Sequence, residues 1–160
     1  MFEVKFKWDK KSFVEASLFA YRYELSKSPK RFLGFIFIAM SQFGVVALLR
    51  EGQSGLLLLS SILLIYWYFL REKIRKKIYE KSFRGDIEFT LRVDESGLNI
   101  NGLDLKWSDI LKIIEFEYGF IIYYQNQYLF IPNSAFDNKQ RDDFISILRK
   151  KNIKISKSQI

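Results

Sequence analysis

Two uncharged apolar runs, Phe32–Leu49 and Leu56–Leu70, constrain this chain more than any other feature, and only Arg50-Glu51-Gly52-Gln53-Ser54-Gly55 separates them. As a helix the first run spans roughly 27 Å, close to the hydrocarbon thickness of a bilayer. The second is shorter, but Ser54 and Gly55 extend it, and Tyr66, Trp67 and Tyr68 stand near its end, where interfacial aromatics sit. A soluble protein buries helices that are apolar all round only inside a large core, and 160 residues supply too little chain for that. We therefore read a transmembrane helical hairpin over residues 31–71.

The flanking charges set its expected orientation. Lys27, Lys30 and Arg31 precede the first run, while Arg71, Lys73, Arg75, Lys76, Lys77, Lys81 and Arg84 come after the second. The connecting loop has Arg50 alone, offset by Glu51. Lysine and arginine in short loops stay in the cytoplasm, so both termini are expected inside and the loop outside. Residues 1–30 carry many charges and the first apolar run begins too late for a cleaved signal peptide, so the hairpin itself is the expected anchor. The formal net charge of +8 then has its main source beside the membrane. Arg71, Lys73, Arg75, Lys76 and Lys77 are the expected contacts to anionic lipid head groups, each worth about 1 kcal/mol. Nucleic acid is not an expected partner, because that reading wants basic residues on a soluble face with aromatics between them.

The chain has neither cysteine nor histidine. Disulfides, thiolate ligands, histidine-based triads and the usual zinc sites are thereby excluded. Gly52-Gln53-Ser54-Gly55 lacks the strand and the histidine of a nucleophile elbow. Asp94-Glu95 lacks the spaced oxygens of a calcium loop, and no glycine-rich phosphate loop occurs. Glu115 and Glu117 lie two apart on one expected strand, a solvated pair by this reading. Catalytic residues, metal and cofactor are all expected to be none.

Around the hairpin the patterning is that of an α+β protein. Phe2, Val4, Phe6 and Trp8 alternate with Glu3, Lys5 and Lys7, a strand with one buried face. Asp9 caps a helix to about Leu25, with Phe13, Ser17, Leu18, Tyr21 and Leu25 on one stripe that packs on the soluble domain in preference to the membrane interface. Ser28-Pro29 ends that helix. Residues 1–30 thus form an N-terminal strand and amphipathic helix, and residues 72–84 a basic juxtamembrane helix. From Asp86 onward there are about six short antiparallel strands, with turns at Asp94–Gly97, where Gly97 suits a positive φ, at Gly102, Gly119 and Asn126-Gln127. A helix over Asp137–Lys151, its start favoured by Asp142-Asp143, closes a small barrel or strongly bent sheet. Tyr118, Tyr123, Tyr124 and Tyr128 crowd two adjacent strands. Alternation sends Tyr123 and Tyr124 to opposite faces, so at least one is expected to be exposed in a protein-binding strip.

The stretch from Phe89-Thr90-Leu91 through Asp94-Glu95-Ser96-Gly97-Leu98, Trp107-Ser108-Asp109-Ile110, Ile114-Glu115 and Phe120-Ile121-Ile122-Tyr123 to Phe130-Ile131-Pro132 and Ala135-Phe136 resembles the YcxB-like family of bacterial membrane proteins. The order of N-terminal segment, two-span hairpin and C-terminal domain is similar too. The resemblance implies a C-terminal domain, residues 85–160, similar to bacterial pleckstrin-homology (PH)-like folds, and brings no catalytic residue. The expectation is a non-enzymatic, multi-pass protein of the bacterial inner membrane. It would display that domain on the cytoplasmic face to recruit or regulate an unidentified protein partner, as a candidate homo-oligomer. The alternative is a membrane-embedded immunity or defence protein that neutralises a toxin or senses membrane damage.

Overall fold

Val4 and Phe6 turn inward and Lys5 and Lys7 outward along the first strand, β1 (Phe2–Lys7), the alternation of a strand with one covered face. The computed structural model describes residues 1–85, 87–125 and 127–157. Asp86, Asn126 and residues 158–160, which fall at the expected start of the β pattern, in an expected turn and at the end of the expected domain, lie outside these. The chain divides into two compact units, Met1–Ala20 with Ser82–Ile160, and Tyr21–Lys81.

In the first unit β1 pairs antiparallel with β2 (Glu88–Val93), from Phe2↔Val93 to Lys7↔Glu88. β3 (Gly97–Ile100) and β4 (Leu103–Lys106) complete a sheet of order β1-β2-β3-β4. The N-terminal strand, read from sequence as part of a separate segment, is therefore the edge of the sheet that begins some eighty residues later. One 3₁₀ turn, Trp107–Asp109, leads to the second sheet. It holds β5 (Ile110–Phe116), β6 (Gly119–Tyr124), β7 (Gln127–Pro132) and β8 (Ile155–Lys157) in the order β7-β6-β5-β8. β8 was not expected, and it runs parallel to β5, while the other pairings among the described residues are antiparallel.

Between β7 and β8 lies the helix α5 (Asn138–Lys150). Asp137 accepts from the Gln140 amide at 2.7 Å and the Gln140 side chain accepts from the Asp137 amide at 3.0 Å, a reciprocal cap. Asp137 thus fills the role expected of Asp142-Asp143, which lie beyond the first turn. Phe144 and Leu148 are fully buried in one core with Val4, Leu91, Ile113 and Phe120, drawn from both sheets. The Phe120, Phe136 and Phe144 rings lie 5.2–5.9 Å apart, at edge-on and stacked angles.

Gly97 does not occupy the positive-φ position foreseen for it. Its lack of a side chain serves close approach instead, since a Cβ there would fall on the Leu105 carbonyl oxygen of the neighbouring strand. Positive φ is found instead at Asn101 and Gly102, 49° and 85°, in the β3–β4 turn.

Helix α1 (Lys10–Lys27) starts in this unit, where Asp9 accepts from the Ser12 amide at 2.9 Å. Its buried residues are Val14, Ala16, Ser17, Leu18, Phe19 and Ala20. Five of these are consecutive, so burial encircles the helix there instead of tracking the expected stripe, whose Phe13, Tyr21 and Leu25 are only partly buried. Phe19 packs its ring 4.9 Å from Phe116, and Phe13 lies 5.6 Å from Phe83.

The second unit contains the end of α1, a 3₁₀ turn over Pro29–Phe32 capped by Ser28, then α2 (Leu33–Glu51). Gly52, left-handed at φ 68°, stops α2. The return helix comprises α3 (Gly55–Ile65), a π-helical turn over Tyr66–Leu70 and α4 (Arg71–Ser82). α2 and α3 pack closely at Gly44, where an added Cβ would meet the Leu57 backbone at 2.7 Å. The segments Pro29–Glu51 and Gly55–Ser82 are both long and apolar enough to cross a membrane.

Candidate functional site

The basic residues singled out in the sequence lie on α4, starting directly after the apolar part of the hairpin. The Tyr66–Leu70 π turn delivers them, and such a turn inserts one residue into the helical ladder and so rotates α4 relative to α3. Arg71 is half-buried, its guanidinium 4.2 Å from the Trp67 ring centre and 5.9 Å from that of Tyr21. Arg75 lies 5.0 Å from the same Tyr21 ring. Between them Glu72 takes both fork nitrogens of Arg22, at 3.1 and 2.8 Å. Arg71 thus leans on Trp67 and, with Arg75, on Tyr21 of α1, while Lys73, Lys76 and Lys77 are exposed. Lys27 over Tyr23, at 4.4 Å, and Arg31 over Phe32, at 4.6 Å, extend the pattern below α2. The result is a collar in which cations rest on aromatic faces at the end of an apolar hairpin, a set of groups suited to a phosphate-bearing head-group layer. Sequence reasoning named the α4 cations, placed Trp67 among interfacial aromatics and Tyr21 on the α1 stripe, but missed Arg22 and the stacking of the cations on those rings, which depends on helix pairing.

The four tyrosines of the expected binding strip do not share one exposed surface. Tyr123 and Tyr124 do face opposite sides of β6, yet each is only 8% exposed. Tyr124 joins the core and its hydroxyl donates to Gln127 Oε1 at 3.0 Å. Tyr123 lies near Tyr128, ring centres 6.2 Å apart and planes tilted by 43°, and carries the Lys112 ammonium 4.4 Å from its ring centre. Both faces of β6 are covered, and that removes the expected exposure. Tyr118 is half-buried beside Phe116, and Tyr128 alone of the four is exposed.

Glu115 and Glu117 are not a solvated pair on one strand face. β5 ends at Phe116, and Glu117 lies past it in the turn. The Glu115 side chain is only 13% exposed and is held by Arg141 of α5 at 2.6 Å and Lys157 of β8 at 3.6 Å. Asp94 organises the β2–β3 turn, accepting from the Ser96 hydroxyl and from the Ser96 and Gly97 amides at 2.5–2.9 Å. The hydroxyl first, then the two amides, hold its carboxyl below the ordinary aspartate value. Its carbonyl accepts the Trp107 indole N–H at 3.2 Å. Among the described residues no group of three acidic, histidine or cysteine side chains is placed to hold a metal ion.

Neither a curated protein nor a solved structure matches this chain. A family model does match, on the segment that builds β3 to α5 with its Trp107 anchor and Glu115 ion pairs. Residues 93–148 match the family described as YcxB-like protein, the family the sequence resembles.

Proposed function

We propose that this chain is a non-enzymatic protein of the bacterial inner membrane, with its hairpin inserted, both termini cytoplasmic, and its first unit a PH-like domain that works by contact with a protein partner. The observation that carries the reading is the unburied apolar surface of the hairpin. Only 11% and 6% of the most apolar windows of the two segments are buried within the protein, leaving Phe35, Phe43, Leu49, Leu58 and Ile62 uncovered. A surface of that size in water invites aggregation, whereas a bilayer covers it. The cation–aromatic collar at its end suits the head-group layer. Two sheets sharing one core with a late helix support the PH-like reading, and carboxylates committed to caps and ion pairs favour contact over catalysis.

Fractionation of cells expressing the tagged chain tests the membrane reading. Retention in the membrane pellet through alkaline carbonate washing, with release by detergent, is the expected result. Recovery as a monodisperse protein in detergent-free supernatant would overturn it.

A further inference from the structure

The edge of β5 is covered by a strand that is short and lightly held. β8 pairs with it through three positions, Ile113↔Ile155, Ile114↔Ser156 and Glu115↔Lys157, with the Ile113 amide donating to the Lys154 carbonyl at 3.0 Å. Ile155 and Ser156 are half-buried, and Lys157 is 81% exposed at its side chain. A three-residue strand with no fully buried side chain is at the weak end of the local stabilities a fold contains. Its neighbours are different in kind. β5 and β6 hold the fully buried Ile113, Ile114, Phe120 and Ile122 and do not depend on β8 for their own pairing.

Lifting β8 away would expose a row of β5 amides and carbonyls ready to pair with another chain. It would also open an existing surface cleft of 320 Å³ lined by Glu115, Ile145, Arg149, Ile153, Ile155 and Lys157. Two of its features select what can replace β8. The Ile155 position takes a branched apolar side chain at a cleft that Ile145 and Ile153 also line. Two residues on, the carboxylate of Glu115, anchored from below by Arg141, faces a cation.

We propose that the β5 edge is a strand-addition site for a partner protein, closed in this structure by the chain's own β8. The occupant it fits is an extended segment running parallel to β5, with a branched apolar residue and, two positions later, lysine or arginine. Backbone hydrogen bonds would supply the pairing, and the apolar pocket and Glu115 the selection. Because β8 must leave first, affinity for the partner is reduced by the fraction of molecules in which it is docked. The proposal rests on the reading that this unit works by contact.

The test uses the full chain in detergent micelles and a fluorescent peptide with the sequence of residues 152–157. A latch-weakened variant, Ile155→Ser with Lys157→Ser, should bind the peptide at least about tenfold tighter than the wild type, since it removes the competing strand. Replacing the peptide's last lysine by glutamate should abolish binding, and Glu115→Gln should reduce that discrimination. Equal affinity for wild type and latch-weakened protein, or indifference to the peptide's lysine, overturns the proposal. Should the double variant not fold, hydrogen exchange on the wild type decides. Excess peptide should raise exchange at residues 155–157 while residues 113–115 stay protected, and no change at 155–157 overturns the proposal. Concentration-dependent dimers formed by the wild type through β8, with no peptide binding, would also overturn it in favour of strand exchange between copies. Peptide binding is read on the purified protein, so its failure is distinct from failure of the membrane reading.

Discussion

Arg22 and Glu72, fifty positions apart in sequence, form a two-pronged ion pair that ties the end of α1 to the start of α4, with N···O distances of 3.1 and 2.8 Å. The planar guanidinium matches the carboxylate fork, so the geometry is favourable. Both side chains remain about two-fifths exposed, which limits the gain through screening. A double-mutant cycle with Arg22→Gln and Glu72→Gln, read by thermal unfolding in detergent, should give a coupling of about 0.5–1 kcal/mol. Arg22→Lys should keep the charge and lose much of the coupling, because an ammonium cannot bridge both oxygens.

Trp107 should be the costliest side chain to truncate in the first unit. It is 9% exposed, lies in the core, and closes the β2–β3 turn through the Asp94 carbonyl. Trp107→Ala should cost roughly 3–5 kcal/mol. Trp107→Phe keeps most of the apolar body and gives up one hydrogen bond, about 1 kcal/mol, together with some packing. Denaturant unfolding of the two variants compares them. A Phe variant as unstable as the Ala variant would show that the indole N–H matters more than the ring.

Gly97 and Gly102 should separate close approach from backbone conformation. Alanine at Gly97 drives a methyl group onto the Leu105 carbonyl and must displace a strand, a clash worth about 1–3 kcal/mol or more. Alanine at Gly102 meets nothing within 4 Å but must adopt a φ of 85°, a strain of roughly 1–2 kcal/mol. Gly97→Ala should therefore unfold at the lower temperature. The reverse order would mean that the β3–β4 strands part more easily than their pairing suggests.

The features legible in the sequence are those set by local interactions. The two long apolar helices could be read because charge stops on either side of Phe32–Leu49 and Leu56–Leu70, and apolar length needs no knowledge of neighbours. The capping residues Asp9 and Asp137 act within three positions of themselves, and their helices start about where expected, while Ser28, read only as the end of α1, also caps the turn over Pro29–Phe32. The β1–β2 and β5–β8 pairings join distant segments, and nothing in Phe2–Lys7 or Ile155–Lys157 says which strand lies alongside. Tyr123 and Tyr124 were misjudged for a related reason. Alternation assigns a face to each, but whether the second face of a strand is covered is a property of the whole fold. Glu115 looked solvated because Arg141 and Lys157 reach it only after the chain has folded back.

Asp94 should give the first unit an acid-sensitive turn. Its carboxyl is held below the ordinary value first by the Ser96 hydroxyl, then by the Gly97 and Ser96 amides. A carboxyl lowered in the folded state adds stability that is fully present above its unfolded value, about pH 4, and fades as pH falls through the lower folded value. Asp94→Asn should therefore reduce stability at neutral pH and flatten the acid limb of a stability–pH profile. Ser96→Ala, which removes the leading donor, should flatten it in part. Profiles of wild type and Asp94→Asn that stay parallel from pH 6 to about pH 2 would show that the turn takes no part in the acid response.

The expected orientation of the hairpin can be settled with single cysteines, since the chain has none of its own. Ser54 lies in the loop between α2 and α3, and Ser108 is an exposed residue of the 3₁₀ turn between the two sheets. With Lys27, Lys30 and Arg31 before the first span and Arg71, Lys73, Arg75, Lys76 and Lys77 after the second, the loop is expected outside and the sheets inside. A membrane-impermeant thiol reagent on intact cells should label Ser54→Cys and spare Ser108→Cys, which should react only after the membrane is opened. Substituting glutamine for Lys73, Lys76 and Lys77 leaves the aromatic-stacked Arg71 and Arg75 in place and removes the exposed part of the collar. That variant should keep the orientation in a smaller fraction of molecules, because each removed charge gives up about 1 kcal/mol of attraction to the anionic leaflet. Labelling at Ser108 but not at Ser54 in intact cells would reverse the expected topology and place the segment that matches the YcxB-like family on the outer face.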